Sequence, residues 1–452
     1  MVGPDWRPPS AQPPHPSTEP SYPLTKVSGD PLVDELFPHI THGIEWGLDR
    51  MESFLHDTGD PHVGIPCVHV GGTNGKGSVA STVASVLNCA GLRVGLYTSP
   101  HLCSFRERFQ IAGDTVSEDE LRTLARELDP VIRRHSLTFF EATTGLAFHL
   151  FQRRGVEVSV IEVGLGGRLD ATNVVTPFLT AITNVDLDHC DYLGSTLSEI
   201  ALEKAGIINT GVPLLTAEPD DRIRAVLAAT CDSLGAPFVH VRSDLEGMSV
   251  DVRENHTAFD VSTAQWGELR VRTPLLGGHQ AVNGALAVAL LERMPPRFRP
   301  DRAALEEGIS HVRWPGRVQV EHLEGRAWVF DIAHNTAGAG ALASVLGQLE
   351  LQRPIVVLTA VLGDKDWREM LPPLFERADH AILTQAPSAP LVRRWDPHMA
   401  MMETESGIAE IQTDFDDALN RARELTDSGT IVVTGSAHTV GDALRRLGLE
   451  LP

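Results

Sequence analysis

Short apolar runs alternate with helical periodicity over most of this chain. Arg93 to Tyr97, Val156 to Val163, Thr180 to Val185 and Pro213 to Thr216 are brief and rich in β-branched residues, the pattern of parallel strands buried on both faces. Helical spacing falls between several of them, which predicts an open α/β sheet with ligands beyond the carboxyl ends of its strands. Residues 43–55 carry the spacing of an amphipathic helix leading to a first strand at 65–68, and 79–87 reads as the helix that follows it. Between 235 and 275, Val239, Val241, Val250, Val252, Phe259, Val261, Leu269 and Val271 alternate with polar neighbours, which predicts a small antiparallel excursion. After a helix over 280–292, the run Pro295-Pro296-Arg297-Phe298-Arg299-Pro300 breaks the pattern and is the expected interdomain linker. Strand-like segments then recur at 327–332, 355–362, 380–384 and 430–434, so a second, smaller Rossmann-like α/β unit is expected. The expected division is a Pro-rich disordered tail over 1–30, a first domain over 31–296 and a second over 297–452.

Composition narrows the partners. A chain of 452 residues with 42% apolar content exceeds what one core usually supports. Its formal net charge of −22 argues against nucleic acid or an anionic membrane surface, so an anionic ligand must meet a local basic cluster. Five cysteines, with no C-x-x-C pair, suit reduced thiols in the cytoplasm and predict neither disulfides nor a zinc site. Eight prolines and no apolar stretch in the first thirty residues read as a tail and not a signal peptide, and no apolar run is long enough to span a bilayer.

Lysine is scarce. Of 38 basic residues only Lys26, Lys76, Lys204 and Lys365 are lysines. In a chain so biased to arginine, the survivors should mark places where a slender primary amine is required. Lys76 stands in His69-Val70-Gly71-Gly72-Thr73-Asn74-Gly75-Lys76-Gly77-Ser78, between a strand and a helix. Glycines let backbone N–H groups close on phosphates, the helix N-terminus adds positive potential, Lys76 can reach the β/γ oxygens and the Ser78 hydroxyl can ligate Mg²⁺. The expected ligand is ATP with magnesium, held by Gly72, Thr73, Asn74, Gly75, Lys76, Gly77 and Ser78, in a P-loop-type ATPase domain built on a mostly parallel sheet. The loop departs from the usual G-x-x-x-x-G-K-[ST], because Val70 stands five residues before Gly75 and Gly77 separates Lys76 from Ser78.

That departure resembles the loop of the Mur ligase superfamily. Further segments extend the resemblance, over roughly residues 40 to 445, to its folylpolyglutamate synthase and dihydrofolate synthase family. They are Thr98-Ser99-Pro100-His101-Leu102, Phe140-Glu141-Ala142-Thr143-Thr144, Glu162 to Asn173, Asp186-Leu187-Asp188-His189, Glu203-Lys204-Ala205-Gly206-Ile207, His279 to Asn283, Trp314-Pro315-Gly316-Arg317 and Asp331 to Asn335. The resemblance implies an ATP-dependent ligase that adds L-glutamate to the carboxylate of reduced folates, and to dihydropteroate, through an acyl phosphate. A sister ligase with a non-folate acceptor and a non-catalytic nucleotide-binding regulator are the alternatives.

The resemblance also implies roles. Ser78, Glu141, His189 and Lys204 would serve the magnesium, with Lys204 carbamylated by CO₂; spacing alone leaves Glu141 equally open to a salt bridge and His189 to a loop cap. Asn283, with His279 and Gln280, would sit on the adenine side, or else cap a helix. Arg317 would bind phosphates, Asp331 the nucleotide and His334 the transferring group. Ser99, Pro100, His101, Arg106 and Arg108 would face the folate, with Phe105 and Phe109 packing on a pterin and Asp170 hydrogen-bonding its edge. Lys365 would hold a carboxylate of glutamate, or else form an exposed ion pair. Ala437 and His438 depart from the apolar and aromatic residues the family carries after Gly435-Ser436. The expected partners are small-molecule substrates, and the expected state is a monomer.

Overall fold

The computed structural model describes residues 30–40, 43, 45–241, 249–404 and 406–449; of the expected tail over 1–30, residues 1–29 lie outside them, and Asp30 caps the helix Pro31–Leu36. The first sheet comprises β1 (Cys67–Gly71), β2 (Val94–Tyr97), β3 (Phe109–Ile111), β4 (Asp114–Thr115), β5 (Val158–Glu162), β6 (Leu179–Ile182), β7 (Leu214–Thr216) and β8 (Phe238–His240), in the order β4-β3-β2-β5-β1-β6-β7-β8. It is parallel except where β3 joins β2 and β4. β1, β2, β5, β6 and β7 are buried at every position, as strands covered on both faces must be.

The helix expected over 43–55 begins at Asp49 and runs to Asp57. Asp49 and Glu52 occupy its first turn, where acidic side chains favour the helix N-terminus. The excursion divides differently from the expectation. β8 continues the parallel sheet beside β7, and only β9 (Val250–Val252), β10 (Thr257–Thr263) and β11 (Gly267–Thr273) form an antiparallel sheet. Its inward face, Phe259, Val261, Leu269 and Val271, shares one core with the helix Gly278–Glu292.

The Pro295–Pro300 run is not the linker. Phe298 is buried and stacks on Phe178 at 5.9 Å, and the following helix Arg302–Ser310 buries Leu305 and Ile309 in the same core as β1. Ser85 Oγ donates to Gly308 O at 2.7 Å, tying that helix to Lys76–Cys89. The run thus makes a packed turn, because Phe298 and Pro300 are buried within it. The chain reaches the second unit only beyond Ser310, where the Trp314 indole lies against Gly77.

The second sheet unit has β12 (Gln319–Leu323), β13 (Arg326–Phe330), β14 (Ile355–Thr359), β15 (His380–Leu383), β16 (Ala409–Ile411) and β17 (Thr430–Thr434), ordered β12-β13-β17-β14-β15-β16 and parallel except for β12. The loops after β1, β2, β5 and β6 face those after β13, β14, β15 and β17 across one cleft. Among the described residues, no helix is long and apolar enough to cross a membrane.

Candidate active site

The cleft encloses about 1070 Å³ between the two sheets. The helices Lys76–Cys89, Gly278–Glu292, Thr336–Gln348 and Ala437–Arg446 all present their N-terminal turns to it, so unpaired N–H groups and positive dipole ends converge on one space. Lys76, Lys204, Arg108 and Arg317 line it as well. In a protein of net charge −22, this is the local basic cluster that an anionic ligand requires.

The phosphate loop is shaped by close approach. Gly72 has φ +135° with Thr183 where a Cβ would stand, and Gly75 has φ +83° with Asn283 Oδ1 2.5 Å from a Cβ. No other residue fits either position. Asn74 N donates to Asn184 Oδ1 at 2.9 Å, and Thr73 N to Asn184 O at 2.8 Å, which anchors the loop on the end of β6. Lys76 Nζ donates to Gly72 O at 3.2 Å and Thr73 O at 3.0 Å, and Lys204 Nζ donates to the same Gly72 O at 2.9 Å. Two amines therefore share one carbonyl. Burial, reinforced by the Lys76 charge, brings the Lys204 amine down to about 7. Burial also lowers Lys76, opposed chiefly by Glu162 and then Asp188.

Ser78 fits a cation, since its Oγ is buried without a hydrogen-bond partner in the first turn of the loop helix. Glu141 does not. Its carboxylate closes a capping box with Thr138 and takes Arg50 Nη2 at 3.0 Å, so it anchors its helix, and the salt-bridge reading describes it. The acid beside the loop is Glu162, paired in register with Val70 and thus level with the start of the loop. One oxygen of Glu162 accepts from Ser99 N at 3.0 Å, and burial raises its carboxyl. His189 lies across the cleft floor, with φ 52° and with its ring Nε2 3.4 Å from Lys365 Nζ. Ser78, Glu141, His189 and Lys204 all line the cleft, and among the described residues no three His, Cys, Asp or Glu side chains converge as a ready-made metal cluster.

On the acceptor side, Ser99, Pro100 and His101 line the cleft while Arg106 turns away, donating to Val116 O at 2.7 Å and Thr115 Oγ1 at 2.9 Å. Arg108 is the arginine in the wall; its Nε donates to His101 Nδ1 at 2.9 Å and its guanidinium lies 5.4 Å from the Phe139 ring. Phe105 and Phe109 are fully buried in the core, and the aromatic rings that reach the cleft are Phe139, Phe140, Trp46 and Tyr192. Asp170 also lines the cleft, yet its Oδ1 accepts from Thr172 N and Oγ1 and its Oδ2 from Leu165 N, so its first duty is to fold the glycine-rich turn.

From the second unit come Arg317, Asp331, His334 and Lys365. Both Asp331 oxygens accept backbone N–H groups, from Val318 at 2.9 Å and Ala333 at 2.8 Å, so Asp331 shapes its loop as well as facing the cleft. Lys365 is buried against Asp188 at 2.5 Å and is neither exposed nor free. Asn283 Nδ2 donates to Gln280 Oε1 at 3.0 Å, which leaves its Oδ1 toward Gly75, and His279 shares the cleft wall with both.

A Mur ligase middle domain matches residues 70–291, and a Mur ligase glutamate ligase domain matches residues 316–438. The dihydrofolate synthase/folylpolyglutamate synthase of Bacillus subtilis is 32% identical over 418 residues, covering 90% of this chain and 96% of that protein. The chain belongs to this family. Most of the first sheet falls in the matched middle domain, and the second in the matched glutamate ligase domain. The Mycobacterium tuberculosis folylpolyglutamate synthase complexed with ADP superposes with TM-score 0.84 at 30% identity, covering 93% of this chain and 97% of that one. A bifunctional folylpolyglutamate synthase/dihydrofolate synthase solved with Mn, AMPPNP and L-glutamate gives TM-score 0.79 at 31% identity, covering 93% and 98%. The chain spans about half the length of two curated haloarchaeal relatives, from Haloferax volcanii and Halobacterium salinarum; both are probable bifunctional folylpolyglutamate synthase/dihydropteroate synthases and both are 36% identical to it.

Within this family frame, the departure at Ala437-His438 falls in the cleft wall. His438 Nδ1 lies 3.1 Å from Ser388 Oγ, and burial lowers its imidazole to about 4, so a neutral ring stands there. Glu162, Asp188 and Phe140 stand in segments that carry the resemblance but have no role assigned from the sequence, and Phe139 lies outside those segments. Glu162 carries the clearest signal, as an acid closing a buried strand just before Gly164-Leu165-Gly166-Gly167.

Proposed function

We propose that this protein is an ATP-dependent ligase that joins L-glutamate to the terminal carboxylate of reduced folates, with dihydropteroate as a second acceptor, through an acyl phosphate. The observation that carries the reading is the phosphate loop itself, with Lys76 and the unpartnered Ser78 hydroxyl opening into a cleft whose opposite wall is the glutamate-ligase sheet. A carboxylate is a poor electrophile. Attack by one of its oxygens on the γ-phosphorus of ATP releases ADP and leaves an acyl phosphate; the amine of glutamate then attacks the carbonyl carbon, loses a proton and expels phosphate.

Backbone N–H groups of residues 75–78, at the helix N-terminus, and the Lys76 ammonium bind the β/γ oxygens, while Arg317 meets them from the other sheet. Ser78 and Glu162 would hold Mg²⁺, which supplies charge neutralisation on the phosphates. Lys204, brought by burial to about 7, exists partly as the free amine that CO₂ can carbamylate, and the resulting carboxylate would add an oxygen donor beside the loop. On the acceptor side, Arg108 and His101 supply polar contacts beside the Phe139 and Phe140 rings, with Asp170 holding the turn beneath. Both units of the chain line the cleft, and a monomer is proposed as the active unit. Five cysteines, none of them joined in a disulfide, support a cytoplasmic setting.

A substrate panel tests this reading. ADP release should require L-glutamate together with dihydropteroate, tetrahydrofolate or tetrahydrofolyl-glutamate, and should stay at background with either partner omitted. Release with glutamate and none of these acceptors effective would move the protein to a sister ligase with a different acceptor.

A further inference from the structure

Asp188 stands where the two sheets meet and gathers more of the second unit than any role described above needs. Its Oδ1 accepts from Lys365 Nζ at 2.5 Å and from His189 N at 2.9 Å. Its Oδ2 accepts from Asn335 Nδ2 at 3.2 Å and faces His334 Nε2 at 3.4 Å. Asn335 in turn donates to Asn74 Oδ1 at 3.0 Å, inside the phosphate loop, and its Oδ1 caps the helix Thr336–Gln348 through Gly338 N. One carboxylate of the first unit thus ties together the loops after β13 and β14 and, through Asn335, the nucleotide loop.

The pair is buried on both sides, with 7% of each side chain exposed. Burying two charges gains little net stability, so such a pair is better explained by register than by strength. The residue facing Asp188 is one of only four lysines in a chain with 34 arginines, which fits a need for a compact amine wedged between Asp188 and the His189 ring. His189 itself holds φ 52°, a conformation a non-glycine residue keeps only when its surroundings impose it, and the bond from its N–H to Asp188 is part of what imposes it.

We propose that Asp188 is a positioning residue, the clasp that registers Lys365, His334 and Asn335 of the second unit against the phosphate loop so that the two halves of the site act together. The kinetic arm of its test rests on the ligase reading; the exchange arm does not. Asp188→Asn, Lys365→Met and the double variant of the full chain are compared for glutamate-dependent ADP release and, without substrates, for amide hydrogen exchange over 331–335 and 362–366. Each single variant should lose roughly thirtyfold in kcat with KM for ATP within about threefold, and the double should lose no more than the worse single, because both remove one interaction. Exchange in both loops should quicken about tenfold in Asp188→Asn while the thermal midpoint moves little. Multiplying losses in the double variant, or unchanged exchange in both loops, would overturn the clasp. If the unaltered protein shows no glutamate-dependent turnover, the ligase reading falls and the exchange arm alone decides the clasp.

Discussion

Lys76→Ala should cut kcat by at least about a hundredfold, the usual cost of deleting one charge partner of a transition state in a water-poor site. The ammonium rests on Gly72 O and Thr73 O at the mouth of the loop, so it is already where β/γ oxygens would arrive. Its removal takes away the largest counter-charge beside Glu162, which weakens the attractive field for ATP. The fold should survive, because Asn184 and Thr183 still anchor the loop when the Lys76 contacts to Gly72 O and Thr73 O are lost. Steady-state turnover, with circular dichroism as the folding control, measures both. Turnover near that of the unaltered protein would remove the ATP site from this loop.

Lys204→Arg should be nearly inactive though folded. Carbamylation joins the nitrogen of a neutral amine to the carbon of CO₂ and releases a proton, a reaction closed to a guanidinium at neutral pH. Lys204 is suited to it because burial, with the Lys76 charge adding to it, holds the amine near 7 and not near 10. The sign follows: below pH 7 the protonated amine dominates and resists CO₂, above it the free amine dominates, so activity in limiting CO₂ should rise through that pH. Lys204→Ala should recover part of its turnover with added short carboxylates that occupy the vacated space. A chain this rich in arginine would accept arginine in a plain ion pair, and full activity of Lys204→Arg in CO₂-depleted buffer would reduce Lys204 to a structural residue.

The fold was readable wherever one physical rule acted alone. Strands β1, β5 and β6 announce themselves because burial on both faces demands unbroken apolar runs, and the glycines of the phosphate loop because nothing larger fits at Gly72 or Gly75. Residues that satisfy two rules were misread. Pro295 to Pro300 look like a linker, yet Phe298 within them is a core residue, and the crossing near Trp314 carries only the short Pro315-Gly316 turn signal. Glu141 looks like a metal ligand, although Thr138-Phe139-Phe140-Glu141 spells a capping box that predicts where its carboxylate goes. Asp170 two residues before Thr172 is likewise a cap in sequence. Arg106 and Arg108 fall in a tight 3-10 turn that separates their directions, which spacing in a loop does not reveal. The Asp188–Lys365 pair joins positions 177 residues apart, and only the meeting of two sheets creates it.

The central claim is that the acceptor carboxylate, and not water, takes the γ-phosphoryl group. Labelling the terminal carboxylate of dihydropteroate or tetrahydrofolate with ¹⁸O and weighing the released phosphate by mass spectrometry tests it directly. The acyl-phosphate route predicts one ¹⁸O in each phosphate for every amide bond formed, because one carboxylate oxygen departs with the phosphoryl group. Amide formation with phosphate free of ¹⁸O would contradict the account.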